Sequence, residues 1–328
     1  MFLSCSSENA TVAEAGDAAT ISHVERSYTL TDLRNWATGA GTGTRPIRLG
    51  VMGDPVEHSL SPLMQNAALK SCGLEMQYAR FQIASDELAS ALRLLPALDF
   101  IGVNLTIPHK IAAAGIVDEL DGFARRVGAI NVVRVEGDKL VGLNTDGPGF
   151  ARAIRSEFSV DLRDLRVLLL GAGGGAGRAI AMQCAAEGCE RLVLVNRSIE
   201  KAHQLAAELR PAFVDARVSA PVARLETIPW EERALRFQIA NSDLVVNATP
   251  IGMRHADSSP VPPSLLAPHL MIYDAVYSPT RTALLHAAAE SGARGANGLS
   301  MLLHQGVMAF ETWFERAAPI ESMRAALA

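Results

Sequence analysis

Apolar residues along the chain alternate between two periods. Short apolar runs at Ile47 to Met52, Ala79 to Ile83, Phe100 to Leu105, Ile130 to Val135 and Leu140 to Leu143 read as strands. Between them, Ser61 to Cys72, Ser85 to Leu95 and Ala112 to Leu120 read as helices, the first with Pro62 at its start, where a missing N–H does no harm. Glu136-Gly137-Asp138-Lys139 is a hairpin-turn signal. A second series begins near Gly147, with a helix over Phe150 to Glu157 and a buried strand from Val167 to Leu170. A glycine-rich turn and another helix follow it directly. Strand Leu192 to Asn196, helix Ile199 to Leu209, strands Leu244 to Asn247 and Met271 to Tyr273, and helix Thr282 to Glu290 continue the series. Pro211 to Trp230 shows no usable period. The alternation predicts an α/β fold with a parallel sheet wrapped on both faces.

The two ends differ from this middle. Residues 1 to about 25 are small and polar and read as disordered. Leu30, Leu33 and Trp36 fall at helical spacing, with Thr31 as N-cap before Asp32, and Gly39 to Thr44 reads as a linker. At the other end, Leu299 to Arg316 carries apolar residues all round, which predicts a helix buried between two units. Gln305 on such a helix would face a cleft. The expected organisation is an extension over 1–46, a first unit over 47–146, a second over 147–297 and a returning segment over 298–328.

Composition narrows the class. The 328 residues are 49% hydrophobic and 20% charged, enough for a sizeable core. A net charge of -5 argues against a nucleic-acid partner, which needs a basic face. No apolar run approaches the ~18 residues of a membrane span. Cys5, Cys72, Cys184 and Cys189 lack metal spacing, so no metal is expected and a reduced, cytoplasmic protein is. The opening residues lack the basic and apolar regions of a signal peptide, and Glu8, Glu14 and Asp17 argue against a transit peptide.

The chemistry gathers where strands end. Gly171-Ala172-Gly173-Gly174-Gly175-Ala176-Gly177 joins a strand to a helix, which suits a dinucleotide pyrophosphate approached by bare backbone and helix-start amides. Asn196-Arg197-Ser198 stands where NAD-binding folds carry an acidic residue for the ribose. An arginine there can pair with a 2′-phosphate and favours NADP, with Glu200 nearby arguing the other way. Five further polar clusters are Gly53 to Pro62 with Ser59 and Ser61, Gly102 to Lys110 with Asn104 and Thr106, Gly128 to Asn131, Gly142 to Gly147 with Asp146, and Val246 to Met253 with Thr249. Each alone has an ordinary explanation. The serines could cap a helix, Asn-Thr-Asp could form a turn, Lys110 could be a surface lysine, and His109 reads as merely exposed. Together they fall at the edge where open α/β sheets bind ligands, and a lysine and an aspartate in one cleft make a proton-transfer pair.

These motifs in this order resemble the shikimate dehydrogenase family over roughly Ile47 to Arg316. The resemblance implies a substrate-binding catalytic domain over 47–146 and a Rossmann-type NADP-binding domain over 147–297. It implies reversible reduction of 3-dehydroshikimate to shikimate with NADPH by a monomer or homodimer. Lys110 and Asp146 would be the catalytic pair, and Ser59 and Ser61 would hold the substrate carboxylate. Asn104, Thr106, Asn131, Asp146 and Gln305 would hold the ring hydroxyls, with Tyr277 lining the cleft. Gly171 to Ala176, Asn196, Arg197 and Ser198 would hold the cofactor, with Thr249, Ala275 and Gly298 beside its nicotinamide half. The chain departs from the family pattern at Gln65, where histidine is usual, at Leu105, where valine is common, and in a glycine turn one residue longer. The alternatives are an NAD-dependent quinate/shikimate dehydrogenase, a folate-type methylene dehydrogenase, which would not need the paired serines, and a nucleotide-sensing regulator, which should lack Lys110 or Asp146.

Overall fold

The computed structural model describes residues 26–36, 45–213 and 223–328. The disorder expected of residues 1 to 25 and the Gly39 to Thr44 linker lie outside the described residues.

Two sheets organise the chain. The first contains β1 (Ser27–Tyr28), β2 (Ile47–Gly53), β3 (Gln77–Gln82), β4 (Gly102–Leu105), β5 (Glu119–Leu120), β6 (Val132–Glu136) and β7 (Lys139–Leu143), in the order β1-β3-β2-β4-β6-β7-β5. Its helices are α1 (Leu30–Arg34), α2 (Ser61–Ser71), α3 (Leu88–Leu94), α4 (Lys110–Ala113) and α5 (Gly122–Val127). This sheet is mixed rather than wholly parallel, because β6 runs antiparallel to β4 and β7. The turn dictates that. A two-residue connection can join only antiparallel strands, and Gly137 takes the positive φ of 59° that it requires. The reversal puts the start of β6, with Asn131 just before it, at the edge where β2 and β4 end.

The second sheet contains β8 (Arg166–Leu170), β9 (Arg191–Val195), β10 (Leu225–Ile228), β11 (Leu244–Asn247), β12 (Met271–Asp274) and β13 (Arg294–Asn297), all parallel. Their order, β10-β9-β8-β11-β12-β13, is that of the doubly wound dinucleotide fold. Val167 and Leu169 enter one buried cluster, Leu168 and Leu170 another, which is why this strand is apolar without alternation. Helices α6 (Asp146–Phe158), α7 (Gly175–Glu187), α8 (Ile199–Phe213), α9 (Glu232–Ala240), α10 (Ala283–Glu290), α11 (Leu299–Phe314) and α12 (Ile320–Ala325) follow in chain order. None is long and apolar enough to cross a membrane.

Several expectations are corrected. The helix expected over Ala112 to Leu120 ends at Ala113. The chain then pairs with β7 as β5, and Asp118 accepts the Leu140 amide at 2.8 Å, so an open sheet edge outcompetes a short helix. The first helix is capped by Thr29, not Thr31, in a reciprocal capping box with Asp32. The strand before it, β1, adds to β3 and buries Tyr28 in the core of the first sheet, which Leu30 of α1 also joins. Strands β10 and β13 and helix α9 carry too weak a pattern to read. Both strands are sheet edges, and Arg294-Gly295-Ala296-Asn297 has no β-branched or aromatic residue.

The expectation for the long C-terminal helix holds. Met301 of α11 packs into the core of the second sheet, while Leu302, Leu303, Phe310 and Trp313 pack into that of the first. Helix α6 lies directly against it. A Cβ at Gly149 would sit 2.9 Å from the Gln305 backbone nitrogen and 2.9 Å from its Cβ. Gly149→Ala would gain about 1 kcal/mol of helix propensity but lose about 1–3 kcal/mol to overpacking. A lower unfolding midpoint in urea is therefore expected. A midpoint at or above the parent's would show that the two helices part without strain.

Candidate active site

The edge of the first sheet collects the polar residues. Lys110 opens α4, Asp146 opens α6, and Lys110 Nζ lies 2.6 Å from Asp146 Oδ2. The two side chains are 16% and 4% exposed. A buried ion pair seldom adds net stability against an apolar replacement, so its presence in a cleft points to chemistry. Asn131 holds the other side of the carboxylate, with Nδ2 donating to Asp146 Oδ1 at 2.9 Å and reaching Gln305 Oε1 at 3.2 Å and Thr145 Oγ1 at 2.9 Å. Its Oδ1 accepts the Thr145 amide at 2.7 Å. Asn144 accepts the amides of Asp146 and Gly147, orienting the first turn of α6. Asn144 and Thr145 thus hold Asp146 in place, a task that the Asn-Thr-Asp spelling did not separate from an ordinary turn.

A second cluster forms at the start of α2. Its N-cap is Leu60, which makes no side-chain cap bond, and the Ser59 hydroxyl instead accepts the first helical amide, that of Ser61, at 3.3 Å. The Tyr277 phenol, from the loop after β12, meets the Leu60 amide and the Ser59 hydroxyl. Burial raises its pKa, partly offset by those two contacts and by Arg80. Arg80 donates to the Ser59 carbonyl at 2.7 Å. Asn104 donates to the Asn131 carbonyl at 3.0 Å and accepts the Tyr78 hydroxyl at 2.7 Å. Thr106 sits half-buried in the loop after β4. Gln65, fully buried, donates to the Gly306 carbonyl at 2.9 Å and ties α2 to α11 beside Gln305. Arg80 and Tyr78 escape sequence reading because both lie in a strand that looks like plain core.

His109 is not exposed. It is 1% exposed, and its Nε2 lies 2.8 Å from the Ile83 carbonyl, pinning the turn before Lys110 to the end of β3. Histidine is polar enough to read as surface; only the tertiary neighbour reveals a buried anchor.

The glycine turn faces this edge from the second sheet. Gly171 takes a φ of 85° and packs on Ala248 and Thr249, while a Cβ at Gly177 would strike the Gly171 carbonyl, so these two glycines serve close strand–helix packing. The amides of Gly171 and Ala172 both donate to the Val195 carbonyl, and that of Gly173 to Asn196 Oδ1 at 3.2 Å. The amides of Gly175, Ala176 and Gly177, at the start of α7, have no partner among the described residues. Such unpaired helix-start donors suit a phosphate. Gly174 is open, with nothing nearer its Cβ position than 3.7 Å. Asn196 also holds the Ser198 carbonyl, and the Ser198 hydroxyl donates to Glu200 at 2.8 Å. Arg197 has no hydrogen bond or ion pair among the described residues. Lys201, unnoticed in the sequence, lays its stem on Gly173 and brings a second cation to the turn. These donors fit a dinucleotide carrying an extra phosphate. A Cβ at Gly175 would lie 2.9 Å from Lys110 Cβ, so the turn and the ion pair share one cleft.

Beyond the turn, Thr249 donates its hydroxyl to Asn247 at 2.7 Å and Ala275 donates its amide to the Asn247 carbonyl at 2.8 Å. Gly298 packs directly on the Ala275 carbonyl, which gathers Thr249, Ala275 and Gly298 into one patch. Asp274 sits behind it, bonded to Asn247, Thr282 and the Val276 amide. Burial raises its pKa, partly offset by those three contacts. No cluster of metal-ligating side chains occurs among the described residues.

Comparison with known proteins places this arrangement. Residues 51–133 match the model of the shikimate dehydrogenase substrate binding domain, 152–228 that of shikimate / quinate 5-dehydrogenase, and 298–328 that of the shikimate 5'-dehydrogenase C-terminal domain. The chain is 41% identical over 282 residues to the shikimate dehydrogenase (NADP(+)) of Methanopyrus kandleri, covering 85% of this chain and 94% of that one. The chain belongs to the shikimate dehydrogenase family. Two solved structures share the family's fold with it. Shikimate dehydrogenase from Aquifex aeolicus matches with a TM-score of 0.76 at 32% identity, covering 86% of this chain and 97% of that chain. Shikimate 5-dehydrogenase from Thermus thermophilus, in complex with NADP(H) and shikimate, matches with a TM-score of 0.74 at 34% identity, covering 86% and 98%.

In this shikimate dehydrogenase family member, burial holds the pKa of His109 below its ordinary value, partly offset by the Ile83 carbonyl and Asp54. Burial does the same for His304, with Arg152 and Arg324 adding to it. Below about pH 6.5 the unfolded chain protonates both while the folded chain resists, so stability falls as pH drops from there through the folded values. The thermal midpoint should be lower at about pH 5.5 than at about pH 7.5. His109→Gln, which keeps a donor for Ile83 but does not titrate, should narrow that gap; an unchanged gap would show that His109 contributes nothing to it.

Proposed function

We propose that the protein catalyses the reversible NADPH-dependent reduction of 3-dehydroshikimate to shikimate, in chorismate and aromatic amino-acid biosynthesis in the cytoplasm. The observation that carries this reading is the buried Lys110–Asp146 pair set against the glycine turn in one cleft. In this reading residues 47–146 form the substrate domain, 147–297 the NADP domain, and 298–328 return to the substrate domain to deliver Gln305.

NADP supplies the hydride acceptor and donor when bound. The chain's own groups do the rest. Ser59 and Ser61 donate to the substrate carboxylate beside Tyr277, while Asn104, Thr106, Asn131, Asp146 and Gln305 hold the ring hydroxyls. Lys110 exchanges the proton at the C3 oxygen. Asp146 Oδ2 keeps the ammonium aimed, and Asn131 keeps Asp146 aimed. Gly171 to Ala176, with the unbonded amides at the start of α7, surround the pyrophosphate. Asn196, Arg197 and Ser198 take the 2′-phosphate. Thr249, Ala275 and Gly298 line the nicotinamide half.

Steady-state assays with shikimate and quinate, each with NADP and NAD, decide between this reading and its nearest rival. Faster turnover of quinate with NAD than of shikimate with NADP would overturn it. Lys110→Ala should lower kcat by about 10² or more, as expected for a lost acid/base group, and full activity in that variant would remove the lysine from its role. Arg197→Ala should weaken NADP by about 10- to 100-fold, the worth of one charge-assisted bond to phosphate, while leaving NAD nearly unchanged. Equal weakening of both cofactors would show that Arg197 does not read the phosphate.

A further inference from the structure

Tyr78 on β3 is 1% exposed and reads from sequence as a core aromatic. A phenol buried without a partner is costly, and this one has Asn104. Asn104 Nδ2 donates to the Asn131 carbonyl at 3.0 Å, which fixes the amide so that its oxygen faces Tyr78 at 2.7 Å. Tyr78 therefore donates to Asn104. Burial holds the phenol's pKa well above its ordinary value, partly offset by the neighbouring Ser61. The bonds run in one direction, from Tyr78 to Asn104 and from Asn104 to the Asn131 carbonyl.

The ring has little freedom. Asn66 brackets the Tyr78 backbone, accepting its amide at 2.9 Å and donating to its carbonyl at 2.9 Å. Trp313 lies against the ring at 6.2 Å between centroids, and its own Nε1 donates to the Val133 carbonyl at 3.1 Å. The hydroxyl is thus held across β2 against Asn104.

We infer that Tyr78 is a positioning residue for the substrate pocket, fixing Asn104 as a donor toward the substrate. The Asn104 oxygen is occupied by Tyr78 and one N–H by Asn131, so the second N–H is what the amide offers the cleft. The inference deepens the proposed function by assigning substrate recognition, not proton or hydride transfer, to a residue outside the cleft wall.

Tyr78→Phe removes one oxygen and keeps the ring. The KM for shikimate should rise by about 5- to 30-fold, the scale of one or two hydrogen bonds, with the KM for NADP and the pH profile of kcat unchanged. In the double variant with Asn104→Ala, the rise should fall short of the product of the single effects, because Tyr78 acts through Asn104. That coupling is read against each single variant, so it survives a loss of stability shared among them. An unchanged KM for shikimate would reduce Tyr78 to packing. Equal rises for shikimate and NADP, or multiplicative effects in the double variant, would also overturn the inference. If the parent turns over quinate and not shikimate, the proposed function fails; the same ratios are then read with quinate, whose ring hydroxyls make the same demand on Asn104.

Discussion

Taking a lysine ammonium and an aspartate out of water costs several kcal/mol per ion unless each keeps partners of good geometry. The pair at Lys110 and Asp146 sets that demand, and the surrounding residues answer it. Asn131 bonds the carboxylate from one side, Thr145 and Asn144 fix the backbone that carries it, and Gln305 closes the network from a helix far away in sequence. His109 holds the turn that delivers the lysine. These bonds leave Asp146 one direction in which to meet a cation, and Lys110 occupies it.

That geometry requires the two sheets to present matching edges. The doubly wound sheet does so by its parallel order, which puts every strand's carboxyl end and the glycine turn on one side. The first sheet achieves it differently. Its parallel strands supply Asn104 and the lysine turn, and the antiparallel β6 delivers Asn131 to the same edge by its beginning. Helices α6 and α11, packed closely at Gly149, join the halves and bring Asp146 and Gln305 into the same cleft. Loosening that contact would reach the site through Gln305.

Much of this was legible without coordinates. The glycine turn, Asn-Arg-Ser, the lysine after β4 and the Asn-Thr-Asp trio stand at strand ends in the sequence, and the structure brings Lys110, Asn131, Asp146 and Gln305 together as expected. Strands and helices with strong periods were placed within a few residues. The misses share a cause. Edge strands β1, β5, β10 and β13 are stabilised by a neighbour's unpaired backbone rather than by their own side chains, and so leave little pattern to read. His109, Tyr78 and Arg80 look like scenery or core because a residue's type does not say which carbonyl or hydroxyl it will meet.

The amino-acid order by itself determined the periods of the elements, the chemistry available at each strand end and the preference for an extra phosphate, because those follow from side-chain type and local spacing. Tertiary structure alone decided which amides of the glycine turn stay unbonded and which carbonyl the buried His109 meets. It also decided that Tyr78 meets Asn104 across a strand. Each of these is a question of which donor meets which acceptor, and such partners lie tens to hundreds of residues apart, as Asn131 and Gln305 do across 174. Local sequence carries no record of that pairing until the chain folds.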